Sequence, residues 1–176
     1  MMNHIDLSRV LRQTLACDLY SNLVTRSTGA AVRGQIEELL SANSERALTV
    51  IDFSQVSMID FSCADEVVAK LLMRYASDDA PADAYFLFRG VTEDHFDAIE
   101  AVLERHDLAL AVEEGGVLRI MGILSDDERQ AWQATYDLGS ADVADVATAM
   151  HTGEDQAAHA LDGLRRRRLI MRIDGR

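Results

Sequence analysis

Proline is nearly absent from this sequence. Pro81 is its single example, so no polyproline linker separates segments, and punctuation falls to glycines, short polar runs and acidic clusters. Cysteine is almost as sparse: Cys17 and Cys63 are too few for a disulfide framework, and neither stands in a CxxC or Cys/His cluster of the kind that binds zinc. A reducing cytoplasm is the expected setting. No run approaches the roughly 18 apolar residues a membrane span needs, and the opening MMNHIDLSRVLRQ lacks the basic-then-apolar pattern of an export signal. A soluble chain without membrane attachment is expected. Positive charge is also short. The 17 basic residues face 30 acidic ones, and the resulting −13 opposes non-specific attraction to nucleic acid or anionic membrane.

Catalytic signatures are missing too. The sequence contains no GxSxG, no GxxxxGK[ST], no GxGxxG and no HExxH. His4, His95, His106, His151 and His159 are scattered and read as surface residues. Asp52, Asp60, Asp65 and Glu66 supply oxygen donors, but Asp52 falls inside a strand and Glu66 on a helix, so convergence on a hard cation is not expected. The expectation is no enzyme, no cofactor and no metal.

What is present is apolar patterning. Hydrophobic residues make up 48% of the 176, enough for one domain with an appendage or for two small domains. Ile5 to Leu15 is compatible with a short helix, and LACDLYSNLVT with a strand. Val32, Ile36, Leu39 and Leu40 predict a helix from about Gly29 to Ser41, capped by Ser27 or Thr28. ALTVIDF (47–53) reads as a central buried strand. A stripe of Ala64, Val67, Val68, Leu71 and Leu72 predicts a helix over 62–75. AYFLF (84–88) follows as a second buried strand, then a helix over 92–106 and a hairpin about Gly115-Gly116. Strands alternating with helices imply an α/β sheet through residue 123, of four or five strands with helices mainly on one face.

From Ser125 the texture changes. Three short helical segments follow, over LSDDERQAWQATYDLG, over SADVADVATAM with Ser140 as cap, and over 153–167; LIMRI (169–173) reads as a terminal strand. These 53 residues hold 7 basic and 10 acidic groups, leaving −10 on the first 123.

The segment VIDFSQVSMIDFSCADEVVAKLL (50–72) carries a strand, a turn with serines and a helix beginning Ser-x-Ala-Asp-Glu. It resembles the STAS family of anti-sigma-factor antagonists, and NLVTRSTGAAVRGQIEELL (22–40) resembles the arginine-plus-glycine helix entry of the STAS-like group. The matching residues are Asp52, Ser54, Val56, Ile59, Asp60, Ser62, Ala64, Asp65 and Glu66, and the resemblance covers about residues 15–121. It implies a mixed-sheet domain that docks a kinase-like or anti-sigma-type partner through Ser54, Ser62, Asp65 and Glu66. Ser62 matches the serine often phosphorylated in the family. A helix start stabilises a phosphate there. Phe61 and Cys63 replace the small residues that flank the family's site, and a helix cap at Ser62, with Asp65 as its partner, explains the same residues without modification.

ADVADVATAMHTGEDQAAHALDGLRRRRLIMR resembles the winged helix-turn-helix of bacterial transcription regulators. The resemblance covers about 125–174, with Val143, Val146, Ala147, Leu161, Leu164, Leu169 and Ile170 at core positions. It implies a recognition helix beginning Glu154, Asp155, Gln156, with phosphate contacts from Arg165, Arg166, Arg167 and Arg168. Two acids at that helix start oppose DNA while four arginines at its end favour it, so a DNA surface and a second protein or dimer surface both stand. The expected function is a bacterial, cytoplasmic protein-binding switch; the alternative is a DNA-binding transcription regulator whose α/β domain senses a signal or forms a homodimer.

Overall fold

The computed structural model describes residues 2–14, 22–42 and 47–173. Cys17 and most of LACDLYSNLVT lie outside the described residues. The chain divides into two compact units, residues 1–123 and 124–176.

The first unit is α/β. Its elements are β1 (Met2–Asp6), α1 (Leu7–Thr14), β2 (Asn22–Leu23), α2 (Arg26–Ser41), β3 (Ala47–Asp52), β4 (Met58–Ile59), α3 (Phe61–Ala64), a π-helical segment (Asp65–Lys70), α4 (Leu71–Tyr75), β5 (Ala84–Arg89), α5 (Glu93–Arg105), β6 (Ala109–Glu114) and β7 (Val117–Gly122). A five-stranded mixed sheet has the order β1-β3-β5-β6-β7. Its first four strands are parallel, and β7 returns antiparallel from the Gly115-Gly116 turn. Both turn glycines have positive φ, 60° and 82°, which a side chain would oppose. Strand register sets Ile5, Ile51, Phe88 and Val112 side by side on one face. This face shares one core with Val10, Leu11, Val32, Ile36, Val67, Val68, Leu71, Ile99 and Leu103 from the helices.

The expected helix over 5–15 is shortened, because residues 2–6 pair with β3 instead. That strand depends on a partner more than forty positions away, and tertiary pairing overrides local propensity. The turn after β3 also contains β4, which pairs in parallel with β2 to form a separate two-stranded sheet. The cap of α2 is Thr25, whose side chain accepts from the Thr28 N–H, rather than Ser27 or Thr28.

Residues 61–75 form one uninterrupted helical run whose middle turn is widened to π geometry. Ala64, Val67, Val68, Leu71 and Leu72 are all buried, as their spacing requires, but so are Asp65, Glu66 and Ala69. A widened turn accommodates this longer buried stretch than a regular amphipathic helix presents.

The second unit packs α6 (Asp126–Leu138), α7 (Val143–Met150) and α8 (Glu154–Arg166) against one another around Ala131, Trp132, Val146, Ala147, Ala157, Ala160 and Leu164. Ser125 and Glu128 form a capping box on α6. Asp142, not Ser140, caps α7. LIMRI is not a strand: α8 ends with Arg168 at φ 60° and a Leu169 N–H bonded to Leu164 O, and 169–173 continues without ladder pairing. No strand is described in this unit for it to pair with, so the described residues form a three-helix unit without a wing.

Helix α2 crosses the 61–75 helix at Gly29. A methyl group there would lie 2.9 Å from Cys63 Cα and 3.0 Å from Glu66 Cβ, inside the contact distance of about 3.5–4.0 Å. Alanine is the better helix former by about 1 kcal/mol, yet Gly29→Ala is expected to lower stability by about 1–3 kcal/mol because the helices must separate. Urea denaturation checks this through a lower midpoint with unchanged slope.

Candidate functional site: a buried acidic pair beneath two helix starts

The starts of α2 and α3 are locked to each other by Asp60. Its Oδ1 accepts from the Cys63 N–H at 2.8 Å and so caps α3, while its Oδ2 accepts from the Thr25 N–H at 2.9 Å. The Thr25 carbonyl accepts from the Cys63 thiol at 2.8 Å. Thr25 is held at φ 72°, a strained position for a β-branched residue that persists only where surrounding bonds over-determine it. Burial first, and then the Asp60 charge, push the Cys63 thiol up to about 12, so this cysteine is a protonated core residue.

One turn further on lie Asp65 and Glu66, both buried. Arg26 Nη1 donates to Asp65 Oδ2 and to Glu66 Oε1, each at 2.8 Å. Arg33 reaches Glu66 Oε2 through Nη2 at 3.1 Å and Nε at 3.3 Å, Lys70 donates to Glu66 Oε1 at 2.5 Å, and His106 meets Asp65 Oδ1 at 2.7 Å. Burial pushes both carboxyls up, but the hydrogen bonds outweigh it: Arg26 and His106 hold Asp65 below the ordinary 3.8, and Lys70, Arg26 and Arg33 hold Glu66 below the ordinary 4.5. The two acids are therefore anionic and fully engaged. Both sit beneath the cations that hold them, with side chains 10% and 3% exposed.

Ser62 is not the helix cap, nor is Asp65 its partner; Asp60 holds that role. Ser62 occupies the second position of α3, half-buried, and among the described residues its hydroxyl has no hydrogen-bond partner. Being three and four residues before Asp65 and Glu66, it shares their helix face. Phe61 beside it lies under the Arg105 guanidinium, 5.6 Å from the ring centre.

Ser54 belongs to another cluster. Its N–H and hydroxyl donate to Asp52 Oδ1 at 2.8 and 2.5 Å, and His4 Nε2 meets Asp52 Oδ2 at 2.9 Å. Burial raises the Asp52 carboxyl, but Ser54 and His4 outweigh it and the net shift is downward. The carboxylate stands between serine and histidine, an order that leaves the hydroxyl without an imidazole base. Among the described residues, no group of three or more His, Cys, Asp or Glu side chains is placed to hold a metal ion.

The histidines are not all superficial. His95 is buried, with Nδ1 accepting from the Thr92 N–H and Nε2 donating to the Val56 carbonyl at 2.7 Å. The Val56 partner of His95 and the Asp65 partner of His106 are 39 and 41 residues away. Sequence spacing gives no signal for such pairs.

In the second unit, Arg165 and Arg166 both bind Asp162 at 2.9 Å, and Arg167 Nε reaches Glu128 at 3.4 Å. Gln156, at the start of α8, is held by Thr152 and Asp127. Three of the four arginines are thus ion-paired within their own unit. Beside α8 runs a groove of about 630 Å³ lined by Val143, Ala158, Leu161, Ile170, Met171 and Ile173 together with the charged Asp142, Glu154, Asp162, Arg165 and Arg172.

The chain matches no protein-family model, and neither the curated proteins nor the solved structures contain a match to it. Among the described residues, no helix is long and apolar enough to cross a membrane.

A depressed carboxyl pKa contributes stability that is present above the unfolded value and lost as pH falls through the folded one. For Asp65 and Glu66 that loss begins below about pH 4.5 and continues below 3.8. Glu66→Gln is expected to destabilise by about 3 kcal/mol near neutrality, because three cations lose their buried carboxylate. The difference from wild type should shrink as pH falls through the lowered folded-state value of Glu66, where its carboxyl is itself neutralised. Urea midpoints across pH 2.5–7 would test both effects, and a constant difference would contradict them.

Proposed function

We propose that this protein is a non-catalytic, STAS-like protein-binding switch of bacterial signalling, docking a regulatory partner of kinase-like or anti-sigma type through the paired starts of α2 and α3. The observation that carries the proposal is Ser62: a hydroxyl without an internal partner, on a helix start already capped by Asp60, one turn from carboxylates held by Arg26. A serine needed only as a cap would use its oxygen. Added charge here meets the α3 backbone N–H groups and the Arg26 guanidinium, and it changes the face a partner sees.

In this proposal the three-helix unit adds a second protein surface rather than a DNA reader. Supporting this are the ion pairs of Arg165, Arg166 and Arg167, the acids Glu154 and Asp155 at the start of α8, and the groove beside it, whose lining mixes apolar and charged side chains.

Partner capture from the native host followed by mass spectrometry tests the switch. Ser62→Asp is expected to weaken capture by at least about tenfold relative to Ser62→Ala, with both variants folded; equal capture by wild type and both variants would defeat the proposal. The DNA alternative is tested separately. The intact protein is expected to give no duplex shift even near about 50 mM salt, where screening is weak. A shift abolished on replacing Arg165, Arg166, Arg167 and Arg168 with Gln, with a salt slope flattened by about 0.9 per lost contact, would establish the alternative.

A further inference from the structure

We propose that the seam between α2 and the 61–75 helix is a docking strip for an acidic segment of a partner protein. The seam is layered by sign. Its acids are sunk, with the Asp65, Glu66 and Glu37 side chains 10%, 3% and 18% exposed, while Arg26, Lys70 and Arg74 above them are 51%, 40% and 52% exposed. Arg33, between them, joins Glu66 to Glu37. The buried carboxylates fix the bases of these cations and leave their outer N–H groups facing solvent.

Those donors are largely unspent. Arg26 bonds through Nη1 alone, leaving Nε and Nη2. Lys70 commits one of its three N–H groups, to Glu66. Arg74 approaches Glu37 only at 3.8 Å, beyond hydrogen-bond distance. On a chain of net charge −13, a line of cations with spare donors is a local inversion of sign, and the chemistry that completes it is a row of carboxylates.

Charge also selects the kind of partner. A nucleic-acid duplex presents phosphates continuously, and the acidic remainder of this molecule repels it at long range. A short acidic peptide segment engages the strip alone, and beyond about 8 Å the surrounding acids are screened at physiological salt. A second copy of this chain would have to bring another −13 to the contact.

This inference rests on the proposal that the α2–α3 face binds protein, and its test separates the two. The probe is a short fluorescein-labelled peptide of glutamate and alanine, titrated with the full chain near about 50 mM salt and followed by anisotropy, with a lysine-for-glutamate peptide as control. Arg74→Glu is the informative variant because Arg74 lies outside the buried hydrogen-bonded cluster, and Arg74→Lys keeps the charge; thermal unfolding checks that both are folded. The glutamate peptide is expected to bind, the lysine peptide not to compete, and Arg74→Glu to weaken binding by about three- to tenfold, since reversal removes one exposed attraction and adds a repulsion. Arg74→Lys should keep most of the affinity.

Absence of binding by the wild type, or binding indifferent to Arg74→Glu, overturns the inference. Tighter binding of a labelled DNA duplex than of the peptide overturns it in favour of a phosphate ligand, and a dimer in sedimentation that Arg74→Glu dissociates overturns it in favour of a second copy. A native partner whose capture depends on Ser62 but ignores Arg74→Glu would sink this inference and leave the switch standing.

Discussion

Glu66 is the constraint on which the helical layer of the first unit depends. A carboxylate this deeply buried is tolerable only with its oxygens saturated by hydrogen-bonded cations. Arg26 and Arg33 come from α2, and Lys70 comes from one turn along its own helix. Asp65 extends the set to α5 through His106. Removing one carboxylate therefore strands several charges at once, and the spacing of three helices is fixed by ionic geometry as well as by apolar packing.

Two backbone features make that geometry attainable. Gly29 lets α2 come close enough for Arg26 and Arg33 to reach across. The π turn sinks Asp65 and Glu66 into a layer otherwise occupied by Val67, Val68 and Ala69. Thr25 supplies the third element, a strained corner held from both sides by Asp60 and Cys63. Strain, a widened turn and a charged core at one locus mark a place where local stability has been traded for a particular arrangement of groups.

The α/β class was legible because ALTVIDF and AYFLF are compact apolar runs between segments of helical period, and neither depends on distant information to be recognised. The strand at residues 2–6 was not, because it exists only by pairing with β3. LIMRI failed in the opposite direction: its residues favour a strand, but its unit offers no neighbouring strand to complete the ladder. The choice of cap residue was ambiguous locally, since Asp60 and Ser62 both stand near the same helix start. The site was half legible. Ser62, Asp65 and Glu66 could be singled out by motif, but the burial of the two acids and their partners at positions 26, 33 and 106 could not. Pairings across some forty residues follow from the packing of α2 and α5, which local periodicity does not encode.

The topology also sets an order of assembly. The β6–β7 hairpin closes over a two-residue turn, whereas β1 finds β3 only after the intervening helical segment has been spanned. Loop closure over that distance is entropically costly until the core it completes is already present. The first strand is thus expected to be the last to dock during refolding. On the ribosome it emerges before β3 and must wait unpaired until β3 has been synthesised, which leaves this edge strand open to competing contacts while the chain is being made.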